Sequence, residues 1–173
     1  MTHPEELGGQ NLPYSLGSVM AEWFSSANHS WAMYPGLSQG CMETLKEHGT
    51  SEQQKMFLNN LIGGQWTGTM CLTEPHCGSD LGMLKCKAVK NDDGTYSLTG
   101  TKIFISAGEH DMSDNIVHIV IARLPDAPSG TKGISLFVVP KFNAGTEGEK
   151  LDRNAVSCGS IEHKMGIKGS ATC

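Results

Sequence analysis

An α+β chain, helices first and a β-barrel after them, is predicted by three observations. Apolar residues recur at three and four positions from Leu16 to Ile62. After Gly64 the period changes to two-fold, through five short runs separated by turn-forming residues. No helical pattern intervenes between those runs, which favours a barrel or sandwich over a parallel α/β sheet. The boundary falls at about residue 65, giving a helical unit 1–65 and a β unit 66–173.

Pro4, Gly8, Gly9 and Pro13 mark an irregular opening segment. The first helix starts at Ser15, available as its N-cap, and gathers Leu16, Val19, Met20, Trp23 and Phe24 on one face. A second helix is expected from about Trp31 to His48, with Pro35 near its start and Gly49 as a left-handed stop. Ser51 with Gln54 forms a capping box opening a third, which Gly63 and Gly64 close. Met20, Met33, Met42 and Met56, with Trp23 and Trp31, pack between helices.

The strands are expected at 66–72, 84–90, 96–106, 115–124 and 133–140. Asp92-Asp93-Gly94 has hairpin chemistry, so 84–106 reads as two antiparallel neighbours. Pro125 to Lys132 is a polar loop, Asn143 to Lys150 a solvated one, and Val156 to Cys173 holds one more strand pair. The chain stops without a terminating signal and reads as cut off.

Charge and composition narrow the function. In 173 residues, 18 acidic against 13 basic side chains give a net charge of −5, the wrong sign for gripping nucleic acid. No apolar run approaches the roughly 20 residues of a membrane span, and the first residues carry no leader pattern. The six cysteines form no CxxC pair, so free thiols in a reducing cytosol or organelle matrix are expected. Cys71, His76, Cys77, His110 and His118 lack the paired spacing of a zinc site, and Cys77 shows no partner base that would make it a nucleophile. Glu109-His110-Asp111 reads as a solvated loop and Lys102 as a surface cation.

The densest cluster of special residues is Leu72-Thr-Glu-Pro-His-Cys-Gly-Ser-Asp80, at the end of a strand. Pro75 fixes one backbone angle, Gly78 permits close approach, and Thr73 and Ser79 can aim donors at a planar polar ring with a phosphate. Taken with Pro4-Glu-Glu-Leu-Gly-Gly9 before it, and Gly100-Thr-Lys-Ile-Phe-Ile-Ser-Ala-Gly108 after it, this order resembles the acyl-CoA dehydrogenases. Glu109-His-Asp-Met and Ile161-Glu-His-Lys-Met-Gly166 look most like the branch that includes 3-methylmercaptopropionyl-CoA dehydrogenases.

The resemblance implies an FAD enzyme in which a carboxylate removes the α-proton of an acyl-CoA while the β-carbon passes hydride to flavin N5. It places Met70 and Leu72 against the flavin, Thr73 at its pyrimidine edge, and Gly78 and Ser79 toward the phosphate and the pantetheine passage, Ser79 also touching substrate. Phe104 stands where the family often has tryptophan, covering the flavin, and Ser106 where it often has threonine, donating toward N5. Ile105 lies between them in the same flavin-facing set. The family's catalytic carboxylate and carboxy-terminal helical bundle fall beyond Cys173, so no residue here is assigned catalysis, and the chain alone is expected to be inactive. Glu74 is expected to fix its loop through local hydrogen bonds. The partners implied are an acyl-CoA, an electron-transfer flavoprotein or other acceptor, and further copies of the full-length enzyme. Two alternatives carry the same motifs: an acyl-CoA oxidase relative and an inert binding or assembly module with the flavin-domain fold.

Overall fold

A computed structural model describes residues 1–173. After a short 3-10 turn at Glu5–Leu7, helix α1 runs Tyr14–His48 and α2 Ser51–Ile62. The strands follow: β1 Trp66–Cys71, β2 Lys87–Lys90, β3 Tyr96–Thr99, β4 Asn115–Arg123, β5 Ile134–Pro140, β6 Phe142–Ala144 and β7 Lys150–Arg153.

The two helices expected before residue 49 are separate: Asn28, with φ −159° and ψ 94°, leaves helical space, and the first half of α1 folds back along the second, so that Tyr14 Oη donates to Glu43 Oε1 at 2.9 Å. The Asn28 Oδ1 accepts from the Trp31 amide at 3.1 Å, so Asn28 acts as an internal N-cap and restarts the helix. Ser15 is not the N-cap of the first half: Pro13 holds that position without a side-chain bond. Gly49 is extended rather than left-handed, with φ −73°. The capping box lies one residue earlier than the pattern suggested, pairing Thr50 with Gln53. Gln54 instead donates to the carbonyls of Leu45, Lys46 and Gly49, satisfying the end of α1.

The sheet is mixed and open. β1 pairs with β4 in parallel, Trp66 opposite Asn115 through Cys71 opposite Val120, while β5 runs antiparallel on the other side of β4. β2 meets the far end of β4 at Lys87 and Arg123, and β3 lies antiparallel to β2 across the Asp92-Asp93-Gly94 turn, where Gly94 has φ +86°. No closed barrel forms: β3 and β5 end as edges. They curl toward one another only as far as a Tyr96–Phe137 ring contact, with centroids 5.2 Å apart and no backbone ladder between them. The strand expected over 96–106 stops at Thr99, and the pair expected in 156–173 is absent; β6 and β7 pair instead and take in both ends of the loop expected over 143–150, leaving 145–149 as the turn.

β4 is buried from Asn115 to Ala122, so both faces are covered. Val117 and Ile119 join Leu45, Phe57, Leu58, Leu61 and Trp66 in the main core, the carboxy-terminal half of α1 and α2 packing across β1 and β4. Each such side chain contributes roughly 1.5–3 kcal/mol through burial. On the other face Val120 meets Cys71 and Ile105. The expectation that Trp23 and Trp31 are packed away between helices fails: they are 67% and 45% exposed. Met42 does join the core.

Candidate functional site

The end of β1 runs into a loop tied by reciprocal backbone bonds between Glu74 and Cys77, at 2.8 and 3.0 Å. Pro75 and His76 stand at its exposed tip. Asp80 accepts from the Gly82 amide at 3.0 Å and opens the turn Leu81–Met83. Arg123, at the end of β4, then donates to the carbonyls of Leu84, Gly82 and Pro128, locking that turn to the sheet.

The Gly100–Gly108 segment is laid against this loop. The Ile103 amide donates to the Thr73 carbonyl at 2.9 Å, and Lys102 Nζ reaches the Leu72 carbonyl at 3.1 Å and Glu74 Oε1 at 3.0 Å. Lys102 is therefore not a surface cation: its side chain is 9% exposed and paired with a Glu74 side chain 3% exposed. Burial pushes the Glu74 carboxyl upward, but the amides of Lys85 and Cys86 together with the Lys102 ammonium outweigh it and hold the group below the usual carboxylate range. Glu74 thus fixes its loop, though its partners lie far along the chain as well as near it.

Beyond Ile103 the backbone turns sharply. Phe104 and Ala107 take positive φ of 61° and 54°, a left-handed conformation costly for residues with a Cβ. The surroundings hold it. Ile105 exchanges both backbone bonds with Cys173, at 2.8 and 2.9 Å, and the Gly108 amide donates to Ala171. Phe104 is 43% exposed, with Lys164 Nζ 4.3 Å above its ring.

Of the eight residues singled out from sequence, Met70 and Leu72 are half-buried and pack on the sheet core, Ile105 is buried beneath the strained turn, and Phe104 is exposed at its crest. Thr73, Gly78 and Ser106 are half-buried and Ser79 is exposed. Gly78 lies against Thr73: a Cβ there would meet Thr73 Cγ2 at 3.4 Å. The two motifs are thus brought together along 72–74 and 102–103, with Ser79 at the outer end of its loop.

Sequence reasoning missed Lys102, Arg123 and Lys164. A signal existed for the first, since a lysine inside Ile103-Phe104-Ile105 surroundings, in a chain with one acid in Met70–Pro75, invites pairing. The Glu109-His110 segment is also no free loop. Glu109 pairs with Lys141 and, at 3.5 Å, with Arg153; burial raises its carboxyl, and these cations overcome that and lower it. His110 stacks edge-on to Tyr34, with centroids 5.1 Å apart.

A cleft of about 1390 Å³ lies between β5, the 100–109 segment and residues 153–160. Ile105 is the one predicted residue on its wall. His118 also lines it, with Nδ1 2.7 Å from Thr69 Oγ1, and burial lowers the imidazole to about 4. Glu74, His76 and Cys77 converge with their ligand atoms within 4.8 Å, but a cation there would have to compete with Lys102 and two amides for the Glu74 oxygens.

The model for the acyl-CoA dehydrogenase N-terminal domain matches residues 1–65 and that for the middle domain residues 69–173. The chain belongs to the acyl-CoA dehydrogenase family. It is 51% identical, over 99% of its length, to 3-methylmercaptopropionyl-CoA dehydrogenase of Ruegeria pomeroyi, of which it covers 29%. The crystal structure of an acyl-CoA dehydrogenase from Geobacillus kaustophilus superposes with a TM-score of 0.80 at 28% identity, covering 99% of this chain and 41% of that one. An acyl-CoA dehydrogenase from Bacillus anthracis, solved in complex with FAD, gives 0.75 at 32% identity, covering 99% and 26%. The chain thus spans less than a third of the length of that Ruegeria relative.

Proposed function

We propose that this chain is the flavin-facing part of an FAD-dependent acyl-CoA dehydrogenase, with a helical unit 1–65 and a middle unit 66–173, acting on an acyl-CoA thioester to give the 2-enoyl-CoA. The observation that carries the reading is the Ile103–Thr73 backbone bond, which seats the two motifs side by side and presents a strained aromatic crest next to hydroxyl donors. The donor set fits FAD. Met70, Leu72 and Phe104 offer apolar surface to the ring system, and Thr73 and Ser106 offer hydroxyls to its polar edge and to N5. Ile105 supports the crest from below. Gly78 and Ser79 face the phosphate, and Ser79 the pantetheine arm of the substrate. FAD, when bound, accepts the hydride leaving the acyl β-carbon.

The Glu74–Lys102 pair holds the loop rather than moving a proton, because every Glu74 oxygen is already engaged. No catalytic base is assigned in 1–173, and the electrons pass on to an electron-transfer flavoprotein or another acceptor of an oligomeric enzyme in the cytosol or an organelle matrix. No helix is long and apolar enough to cross a membrane.

The test uses the Ser106→Ala change in a polypeptide extended to the relatives' length, followed by stopped-flow bleaching of the flavin with a good acyl-CoA substrate. Reduction slowed about tenfold to a hundredfold, with FAD still bound, is expected for loss of one donor at N5. The 173-residue chain alone gives no turnover in the same assay. Unchanged bleaching in Ser106→Ala would remove Ser106 from the site.

A further inference from the structure

We infer that the turn after β1 is a divalent-cation site of zinc type, formed by Glu74, His76 and Cys77 with the fourth position left to water. Spacing along the chain argues against such a site because it counts His76 and Cys77 alone, whereas the fold brings Glu74 to them. One ligand atom from each of the three side chains lies within 4.8 Å of the other two. Carboxylate, imidazole and thiolate are the donors that zinc accepts.

The backbone explains why residues so close in sequence converge. The reciprocal bonds between Glu74 and Cys77 make them a directly opposed antiparallel pair, and the side chains of such a pair leave on the same face with Cβ atoms about 4.5–5.5 Å apart. Pro75 and His76 are the two residues of the turn between them, and proline has the backbone angle that the first of these positions requires. His76 Nε2 stands 3.5 Å from Glu74 Oε2 and 3.1 Å from the Met83 carbonyl oxygen, so the ring is held over the pair rather than swung out to solvent. Cys77 is a free thiol, buried against Leu84 and Cys86.

Competition for the Glu74 carboxylate falls mostly on one oxygen. Oε1 carries the Lys102 ammonium at 3.0 Å and the Cys86 amide at 2.9 Å, while Oε2 carries only the Lys85 amide, at 2.8 Å, and faces His76. A carboxylate oxygen has two lone pairs, so Oε2 retains one for a cation while Oε1 keeps its ion pair. Zinc bonds of about 2.0–2.3 Å at tetrahedral angles set ligand atoms about 3.3–3.8 Å apart, so the widest gap closes with about 1 Å of movement. As the metal–sulfur bond forms, the Cys77 thiol loses its proton to solvent, and the imidazole ligates through Nε2 with its own proton on Nδ1. Nothing is oxidised or reduced. Thr73 precedes the turn and Gly78 and Ser79 follow it, so a cation bound there braces the loop that presents them.

The reduced, chelator-treated 173-residue protein is titrated with Co²⁺, whose thiolate complexes show a sulfur-to-metal charge-transfer band, and then with Zn²⁺. Expected are one Co²⁺ bound per chain, bleaching of the band by one equivalent of Zn²⁺, proton release on binding, and a denaturation midpoint that rises with the metal concentration. His76→Gln, at the exposed tip of the turn, should keep the fold and weaken binding at least about tenfold, since even groups that only orient a ligand are worth about 10–100-fold. Cys77→Ser should abolish the charge-transfer band, whereas Cys158→Ser and Cys173→Ser should leave it intact. Absence of the band from the parent protein, undiminished affinity in His76→Gln, a band that survives Cys77→Ser, or a band lost with Cys158 or Cys173 would overturn the assignment. The parent protein and His76→Gln decide the matter even if Cys77→Ser does not fold.

Discussion

The junction of the β1 loop with the 100–108 segment and the first half of α1 invert the usual distribution of side chains. At the junction a glutamate and a lysine are almost wholly enclosed, and His118, Thr69 and Asn115 are buried elsewhere in the sheet. Along 14–31 the large apolar residues Leu16, Trp23, Phe24 and Trp31 face outward. Glu74, Lys102, Thr69 and His118 each have a hydrogen-bond partner, and the cost of desolvating them is offset by bonds that fix one geometry. The first half of α1 leaves these apolar side chains exposed. Apolar periodicity thus identifies a face that wants cover, while buried polar pairing identifies a place where the position of the chain matters.

The largest effect expected from breaking this contrast comes from Lys102→Met. It leaves the Glu74 carboxylate buried beside two amides and without its counter-ion, a class of change that costs about 3–5 kcal/mol. Urea denaturation should show the midpoint falling with little change in slope. Adding Glu74→Gln should recover part of the loss, since the amide oxygen can still accept from Lys85 or Cys86. A Lys102→Met protein as stable as the parent would mean that the pair is not buried in solution.

Acid supplies the next effect, and its sign follows from His118. The imidazole is lowered by burial from 6.5 to about 4, with the Glu109 charge opposing that shift and Lys141, Arg153 and His110 adding to it. In this window the unfolded chain takes up a proton that the folded chain refuses, so stability is full above 6.5, declines as the pH falls, and stops declining near 4. Between pH 6.5 and 5 the loss amounts to about 2 kcal/mol, at roughly 1.4 kcal/mol per pH unit. Glu74 and Glu109, held low, stay ionised through most of that range and contribute below it. Denaturation midpoints across pH 5–7 should therefore slope for the parent and less steeply for His118→Gln, the remainder coming from His110, which burial also lowers.

Much of the fold was readable because it rests on local patterns. The period-two runs at β1, β4 and β5, the Asp92-Asp93-Gly94 hairpin and the end of α2 at Gly63 all stand where the residues put them. A one-residue slip at the capping box arose because Thr50-Ser-Glu-Gln53 and Ser51-Glu-Gln-Gln54 are equally good patterns, and only the need of the α1 terminus for a donor decides which glutamine caps. Partners distant in sequence were beyond such reasoning. Parallel pairing of β1 with β4, the open sheet, and the Glu74–Lys102 bridge each depend on which segments meet. Of the candidate site, the residues of the two motifs were legible from their resemblance to a family. The left-handed crest at Phe104 was not, because nothing in Ile103-Phe-Ile-Ser-Ala107 marks a positive φ.

The smallest stability effect is expected at the other pole of the comparison, in Trp23→Ser. Trp23 is 67% exposed, so removing its ring deletes little packing and should move the denaturation midpoint by no more than about 0.5 kcal/mol. The same change should act strongly on association. Leu16, Trp23 and Phe24, with Trp31 edge-on to Phe24 at 5.2 Å across the break at Asn28, form an exposed apolar surface on the folded-back pair of helices, and such surfaces promote self-association of an isolated chain. Sedimentation velocity of the 173-residue protein should show oligomers that decline in Trp23→Ser, while the midpoint stays put. If the substitution instead lowered stability by several kcal/mol, Trp23 would have to be buried in solution. If it changed neither quantity, the exposed face would not be what brings copies together, and the uncovered half of α1 would have no measurable consequence for the isolated chain.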